Sequence, residues 1–176
     1  ALMVGLLWGS DGMPRDVNER AALAVDLIYH ANEAGVPNED IFIDPIATPI
    51  MGEINQLKAC TEFMQMLGDI APGCRSIVGL SNVSNGAPPE LRPFLNRPYL
   101  LMLHKNGLYS AILDAYDEEI MALCRGENQE AAELVEKMME GEAVDIEALS
   151  PELRAYARSV NVLTGNVLYS NSWLDG

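Results

Sequence analysis

The sequence has few basic residues. Lys and Arg together number 11, against 26 Asp and Glu, and the formal net charge is -15. Because nucleic-acid binding depends mainly on Lys and Arg contacts with phosphates, this imbalance argues against a nucleic-acid partner. The surplus of acids predicts a solvated acidic surface that keeps the protein in solution.

Cysteine is scarce as well. Cys60, Cys74 and Cys124 are odd in number and lack the close spacing of a metal site, so we expect reduced thiols in the core of an intracellular protein. No apolar run approaches the roughly 20 residues needed to cross a bilayer, and no signal peptide is visible. These absences predict a cytoplasmic protein with no metal site and no membrane contact.

Two common kinds of catalytic motif are missing. No Gly-rich phosphate fingerprint opens a predicted helix, so nucleotide binding lacks support. Neither His30 nor His104 follows the end of a predicted strand, so a serine nucleophile with histidine and acid partners also lacks support. With 176 residues, 49% of them hydrophobic, the chain is long enough for one domain with a sizeable core.

Four short apolar runs predict buried strands, each followed by a helical pattern. The strands start near Leu2, Ile41, Ile77 and Leu108. The helices are predicted over about 17–34, 53–71, 88–95, 97–107, 118–124, 129–140 and 151–163, with Asp16 and Ser150 as N-caps. Four βα units allow either a small open parallel sheet or half of an eight-stranded barrel, and both folds bind ligands at the carboxyl ends of strands.

Two of these strand ends carry polar residues. The third strand opens from SIVG into LSNVSNG, and Gly, Asn and Ser suit a turn with unusual backbone angles. Asp44 directly follows IFI, and a carboxylate beside large apolar residues needs hydrogen-bond donors or a charged partner. Each feature has a simpler alternative, an ordinary loop for SNVSNG and a helix N-cap or loop acceptor for Asp44.

The first residues also lead to an expectation. Residues 1–8, ALMVGLLW, form an apolar run with no preceding turn. Buried strands of parallel sheets have this composition and normally follow other structure. We therefore expect the chain to be the C-terminal part of a longer protein.

The strand motifs together resemble a known family. In order and spacing, VGLLWGSDGMP, IFIDPI, SIVGLSNVSNG and GLYSAILDAYD look like the last four strands of the methyltetrahydrofolate:corrinoid methyltransferases. That family shares its pterin-binding barrel with dihydropteroate synthase and with the folate module of cobalamin-dependent methionine synthase. The resemblance implies a TIM (β/α)8 barrel of the pterin-binding type. Residues 1–176 would be its C-terminal half, strands five to eight with the C-terminal helices and no internal domain boundary.

The resemblance also implies roles for four residues. Asp44 would bind the aminopyrimidine part of the pterin, and Gly79 would let the ring approach the backbone closely. Ser81 would be a further polar contact. Asn82 would lie near the methyl-bearing nitrogen, as both a pterin contact and the catalytic residue. The implied substrate is methyltetrahydrofolate, and the implied cofactor is a corrinoid (cobalamin) carried by a partner protein.

The implied reaction is attack of the reduced cobalt on the methyl group. A tertiary amine is a poor leaving group, so its nitrogen must be protonated or hydrogen-bonded as the bond breaks, and the Asn82 amide N–H can stabilise the charge that changes there. The implied partners are a corrinoid iron–sulfur protein and a second copy of the chain in a homodimer. The acetyl-CoA pathway of acetogens, O-demethylation and methionine synthesis all remain open as the metabolic role.

Two alternatives remain at this point. A dihydropteroate synthase-like enzyme would need cationic residues after the seventh strand and near the eighth, and neither SNVSNG nor LDAYD contains Lys or Arg. The second alternative is a non-catalytic half barrel. Such a piece would leave two strand edges unpaired and an apolar face open, so we expect a second segment to complete it.

Overall fold

The computed structural model describes residues 1–175, across which the chain alternates strands with helices. The strands are β1 (Met3–Leu6), β2 (Ile41–Asp44), β3 (Arg75–Gly79) and β4 (Ser110–Ile112). The α-helices are α1 (Val17–Glu33), α2 (Ile54–Ile70), α3 (Arg92–Lys105), α4 (Glu118–Cys124), α5 (Gln129–Met139) and α6 (Pro151–Leu163). The predicted mixed α/β class with a parallel sheet is confirmed.

Both helix starts predicted from capping residues are confirmed. The Asp16 carboxylate accepts a hydrogen bond from the backbone N–H of Glu19 at 2.9 Å, at the start of α1. The Ser150 hydroxyl accepts one from the N–H of Leu153 at 3.3 Å, at the start of α6. Each cap satisfies a donor that the first helical turn leaves free, so these boundaries follow from local chemistry.

The helix after β3 differs from its prediction. The two short helices expected over 88–95 and 97–107 are one helix, α3, preceded by a 3-10 turn at Pro89–Leu91. Pro98 lies inside α3 and removes one backbone hydrogen bond, which ordinarily ends a helix. Here tertiary packing holds both halves of α3 in line. The completely buried residues on either side of Pro98 are Leu95, Tyr99 and Leu103.

The sheet has the spatial order β1-β2-β3-β4, and every neighbouring pair is parallel. Crossovers between parallel strands are almost always right-handed, so an order that never reverses puts α1, α2 and α3 on one face. Because all four strands are parallel, their C-terminal ends lie at the same end of the sheet. We call this end of the sheet the carboxyl edge.

The two faces of the sheet differ in their surroundings. The helices pack on one face, the covered face, where the completely buried side chains include Leu7, Ile41, Ile43 and Val78. Side chains that alternate with these point to the other, open face. Its apolar members are Val4, Leu6, Phe42, Ile77 and Ile112. Because Val4 is 58% and Leu6 52% exposed, the prediction of a fully buried first strand is wrong for this face.

The remaining helices extend the core away from the sheet. Helices α5 and α6 pack against each other and against α3, which itself contacts α2 and the loop after β3. Their buried residues join the same apolar cluster as those of the covered face. The described chain is thus a sheet with a thick helical layer on one side and an exposed apolar surface on the other.

The cysteine prediction is confirmed only in part. All three thiols are free. Cys60 is completely buried, and burial raises its pKa to about 11, so it stays a protonated, unreactive thiol. Cys74 is half-buried, and Cys124 is exposed at the end of α4. The expectation of core thiols is wrong for Cys124 because the short α4 buries Ile120 and Leu123 instead.

Candidate functional site

The loops that follow β2 and β3 pack together at the carboxyl edge. The chain leaves β3 in a 3-10 turn, Leu80–Ser84, and the backbone N–H of Ile50 in the preceding loop donates to the carbonyl of Val83 at 2.8 Å. Gly86 has a φ of +86°, and a Cβ there would lie 3.1 Å from the Met51 sulfur. Only glycine fits this close approach without strain. The two polar strand ends are therefore held side by side.

Asp44 is the last residue of β2 and is half-buried. Its Oδ1 accepts a hydrogen bond from the backbone N–H of Ile46 at 2.9 Å, and Oδ2 has no hydrogen-bond partner within residues 1–175. Burial raises the pKa of the carboxyl group, and the Ile46 N–H offsets part of that rise. This carboxylate keeps acceptor capacity that a ligand with N–H groups could use.

The backbone around Asp44 has two features that the sequence reasoning missed. Ile46 has a φ of +64°, a left-handed conformation that β-branched residues rarely adopt. The guanidinium of Arg20, completely buried on α1, donates from Nε to the carbonyl of Pro45 at 3.1 Å. A signal for Arg20 exists in the sequence, because it lies four residues before Ala24 on the buried stripe of α1. The conformation of Ile46 leaves no such signal.

Gly79 and Asn82 lie against each other after β3. A Cβ at Gly79 would be 3.2 Å from the Asn82 Nδ2, so the amide rests over the glycine Cα. Asn82 is exposed, and across the described residues its side-chain amide has no hydrogen-bond partner. Its backbone carbonyl accepts from the N–H of Asn85 at 3.1 Å, which closes the turn. The amide is therefore available at the carboxyl edge.

Ser81 is half-buried in the same turn, and its backbone carbonyl accepts a hydrogen bond from the Ser84 hydroxyl at 3.2 Å. Ser84 is completely buried and accepts in turn from Arg92 Nε at 3.1 Å. A cation therefore approaches this loop, although the sequence of the loop contains none. The Arg92 guanidinium binds the buried Ser84 hydroxyl, so it stabilises the loop.

The end of β4 contributes acids of another kind. Asp114 is exposed, and its Oδ1 accepts from the N–H of Tyr116 at 2.9 Å. Asp117 caps α4 by accepting from the N–H of Ile120 at 3.1 Å, and it pairs with Arg97 at 2.8 Å. Burial alone would raise the pKa of Asp117, but the hydrogen bonds from Arg97 and Ile120 outweigh it and lower the pKa. Asp117 thus has a structural explanation.

The carboxyl edge brings two of the predicted residues onto adjacent strand ends. Asp44 ends β2, and the amide of Asn82 lies over the last residue of β3. No hydrogen bond joins the two side chains within residues 1–175, so both remain open to a third group. A half-buried acceptor on one strand end and an exposed amide donor at the neighbouring strand end suit a flat ligand that carries N–H groups at one end.

No protein-family model matches this sequence. Over residues 1–175, no three His, Cys, Asp or Glu side chains are grouped so that they could hold a metal ion. In the same part of the chain, every helix is too short or too polar to cross a membrane. The family resemblance and the pterin roles of Asp44, Gly79, Ser81 and Asn82 accordingly stay predictions.

Proposed function

We propose that this chain forms half of a pterin-binding TIM barrel and that the protein transfers the methyl group of methyltetrahydrofolate to the reduced cobalt of a corrinoid carried by a partner protein. The observation that carries the proposal is a pair of polar side chains on adjacent strand ends that keep free hydrogen-bonding capacity among residues 1–175. Asp44 offers a half-buried carboxylate, and Asn82 offers an amide held over Gly79. The motif resemblance supports the same two residues.

The sheet topology supports a barrel over a doubly wound open sheet. Doubly wound sheets reverse their strand order at a switch point and carry helices on both faces. This sheet runs β1-β2-β3-β4 without reversal, and its crossover helices lie on one face. Its other face carries exposed branched side chains such as Val4, Leu6 and Ile112, the residue type that fills a TIM barrel interior.

Asp44 suits the aminopyrimidine end of a pterin. That ring presents an amino group and a ring N–H next to each other, and a carboxylate can accept from both in a bidentate pair. Its Oδ2 is free within residues 1–175, and Oδ1 keeps a second lone pair beside the Ile46 N–H. Partial burial strengthens such bonds because the surrounding dielectric is lower.

Asn82 suits the reacting end of the substrate. The corrinoid supplies the cobalt nucleophile that takes the methyl group. When the methyl–nitrogen bond breaks, the electron pair stays on the pterin nitrogen, and a neighbouring N–H donor stabilises that charge. The Asn82 Nδ2 lies 3.2 Å from the position a Gly79 Cβ would take, so the donor rests at the end of β3 without substrate.

The corrinoid protein would dock at the carboxyl edge, because Asn82 is exposed there and a large cofactor must reach it. The proposal identifies this partner with a corrinoid iron–sulfur protein and includes a homodimer, both on the strength of the resemblance. It leaves open which one-carbon pathway consumes the methyl group.

Titration of methyltetrahydrofolate into the protein that contains this chain tests the proposal, with Asp44→Asn and Asp114→Asn as a matched pair. Both aspartates follow strands at the carboxyl edge and accept the N–H two residues further on. We expect Asp44→Asn to weaken binding roughly 100-fold, about 2.7 kcal/mol, because a neutral amide cannot accept both N–H groups. Asp114→Asn should bind as the wild type does.

Three outcomes would contradict the proposal. Equal affinity in wild type and Asp44→Asn would remove the pterin role of Asp44. Binding of a pterin diphosphate in preference to methyltetrahydrofolate would favour the dihydropteroate synthase-like alternative. No folate binding by the wild-type protein, together with a stable fold, would favour the non-catalytic half barrel.

A further inference from the structure

Arg20 is a buried cation without an acidic partner. Its side chain is completely buried beneath the carboxyl edge, and no ion pair within residues 1–175 includes it. Its Nη1 is buried and makes no hydrogen bond to the described residues. Burying an unpaired charge opposes folding, so stability alone does not account for this arginine.

The hydrogen bonds of Arg20 converge on the turn that holds Asp44. Nε donates to the carbonyl of Pro45 at 3.1 Å, and Nη2 donates to Gln56 Oε1 at 2.9 Å. The Gln56 amide donates in turn to the backbone carbonyl of Arg15 at 3.4 Å. Arg20 therefore ties the residue after Asp44 to both α1 and the first turn of α2.

That turn needs external support. Ile46 has a φ of +64°, and its N–H donates to the Asp44 Oδ1 at 2.9 Å in the same turn. A β-branched residue leaves this region unless its neighbours hold it there. On the β1 side, the N–H of Leu7 binds the Asp44 carbonyl at 3.0 Å, and on the helix side Arg20 binds the next carbonyl, that of Pro45.

We infer that Arg20 is a positioning residue that holds the Asp44-Pro45-Ile46 turn in its left-handed conformation and so directs the Asp44 carboxylate toward the ligand. The role of Arg20 in methyl transfer rests on the proposed function, whereas its effect on the conformation of the turn is independent of that function. Two separate measurements therefore test the two claims.

Amide hydrogen exchange at Ile46, measured by NMR without ligand, tests the effect on the turn. Arg20→Met keeps an unbranched chain of similar length but removes both donors. We expect Ile46 exchange to become at least tenfold faster in Arg20→Met, while the variant stays folded because it no longer buries a charge. Arg15→Met is the matched control, since Arg15 is 86% exposed next to the start of α1 and, within residues 1–175, its side chain forms hydrogen bonds only with Glu19. Wild-type exchange in Arg20→Met would overturn the inference.

Methyltetrahydrofolate affinity in a double-mutant cycle tests how Arg20 acts. We expect Arg20→Met to bind about tenfold more weakly than wild type, and Arg20→Met with Asp44→Asn to bind no more weakly than Asp44→Asn alone. If the two single losses of methyltetrahydrofolate affinity add in the double variant, Arg20 does not act through Asp44.

If Arg20→Met does not fold, Gln56→Leu is the substitute. It removes the acceptor of the second Arg20 hydrogen bond at a half-exposed position and should show the same pattern. Faster Ile46 exchange with no effect of Asp44→Asn on affinity would uphold the positioning of the turn and reject the proposed function.

Discussion

The ends of β2 and β4 carry the same local motif in different surroundings. At both ends, an aspartate Oδ1 accepts the backbone N–H of the residue two further on, and the distance is 2.9 Å in each case. Asp44 is half-buried, and Arg20 binds the following carbonyl from beneath. Asp114 is exposed, and the next residue but one, Tyr116, is 96% exposed.

Under the proposed function, burial of the carboxylate, and not the turn motif alone, distinguishes the end that binds ligand. An exposed carboxylate stays hydrated and must give up water to bind a ligand, and its side chain can move. A half-buried carboxylate on a turn fixed from both sides has already lost part of its hydration during folding, so it gains more from ligand donors. We therefore propose binding at the β2 and β3 ends and a structural role at the β4 end, and variants on each side can contradict this division.

The largest effect is expected for Asn82→Ala, on the binding side. Methyl transfer should slow roughly 100-fold, about 2.7 kcal/mol in the transition state, because an N–H donor to the reacting nitrogen is lost. Methyltetrahydrofolate affinity should change little. Asn85→Ala is the control, since Asn85 is exposed in the same loop and its side chain makes no hydrogen bond within residues 1–175. Single-turnover rates and titrations separate the two quantities, and equal losses in both would reduce Asn82 to a binding contact.

The next effect is expected on the β4 side and concerns stability alone. Asp117→Ala removes the cap of α4 and leaves Arg97, 16% exposed, with only the more exposed Glu119 as an acidic partner among residues 1–175. We expect the free energy of unfolding to fall by about 2 kcal/mol. Because the folded pKa of Asp117 is lowered, its electrostatic contribution is full above the ordinary aspartate pKa and is lost as the pH falls through the folded value. Urea unfolding at several pH values measures this, and slower methyl transfer at unchanged stability would contradict the structural assignment.

Much of the fold follows from local sequence patterns. The four βα units and both tested N-caps could be predicted, because apolar runs and capping residues act through neighbours in the chain. The continuity of α3 through Pro98 could not, because packing of Tyr99 and Leu103 into a core built from distant segments decides it. The exposure of Val4 could not either, since a strand sequence does not show whether both faces are covered.

The candidate site was predictable only in its outer parts. Asp44 and the SNVSNG loop stand out because polar residues directly follow apolar strands. Arg20 is 24 residues away from Asp44, and only the folded helix packing brings its guanidinium to the Pro45 carbonyl. The left-handed backbone of Ile46 has no signal in the sequence, because a β-branched residue ordinarily indicates extended structure.

A smaller effect is expected for Gly79→Ala, which tests the close contact between Gly79 and the Asn82 amide. The backbone of Gly79, with φ −76°, accepts alanine, and among residues 1–175 the atom nearest to the new Cβ is the Asn82 Nδ2 at 3.2 Å. Moving that amide by a few tenths of an ångström should slow methyl transfer roughly tenfold, about 1.4 kcal/mol. In Gly68→Ala the new Cβ meets nothing within 4 Å on α2, so that control should only stabilise the helix, by about 0.5–1 kcal/mol. A wild-type rate in Gly79→Ala would mean that Asn82 is not held in a catalytic position.

The smallest effect is a gain of stability at the β2 end. Burial raises the folded pKa of Asp44, so its protonated form is favoured in the fold, and stability is lost as the pH rises through the folded pKa. Asp44→Asn keeps the acceptor for the Ile46 N–H but carries no charge. Its urea midpoint should therefore exceed that of the wild type at neutral pH, and the difference should vanish below the ordinary aspartate pKa. Asp114→Asn, at an exposed position, should leave the midpoint at neutral pH unchanged. We expect a binding carboxylate to weaken the fold at neutral pH and to strengthen ligand binding. A lower urea midpoint in Asp44→Asn than in the wild type would instead make Asp44 a structural acid like Asp117.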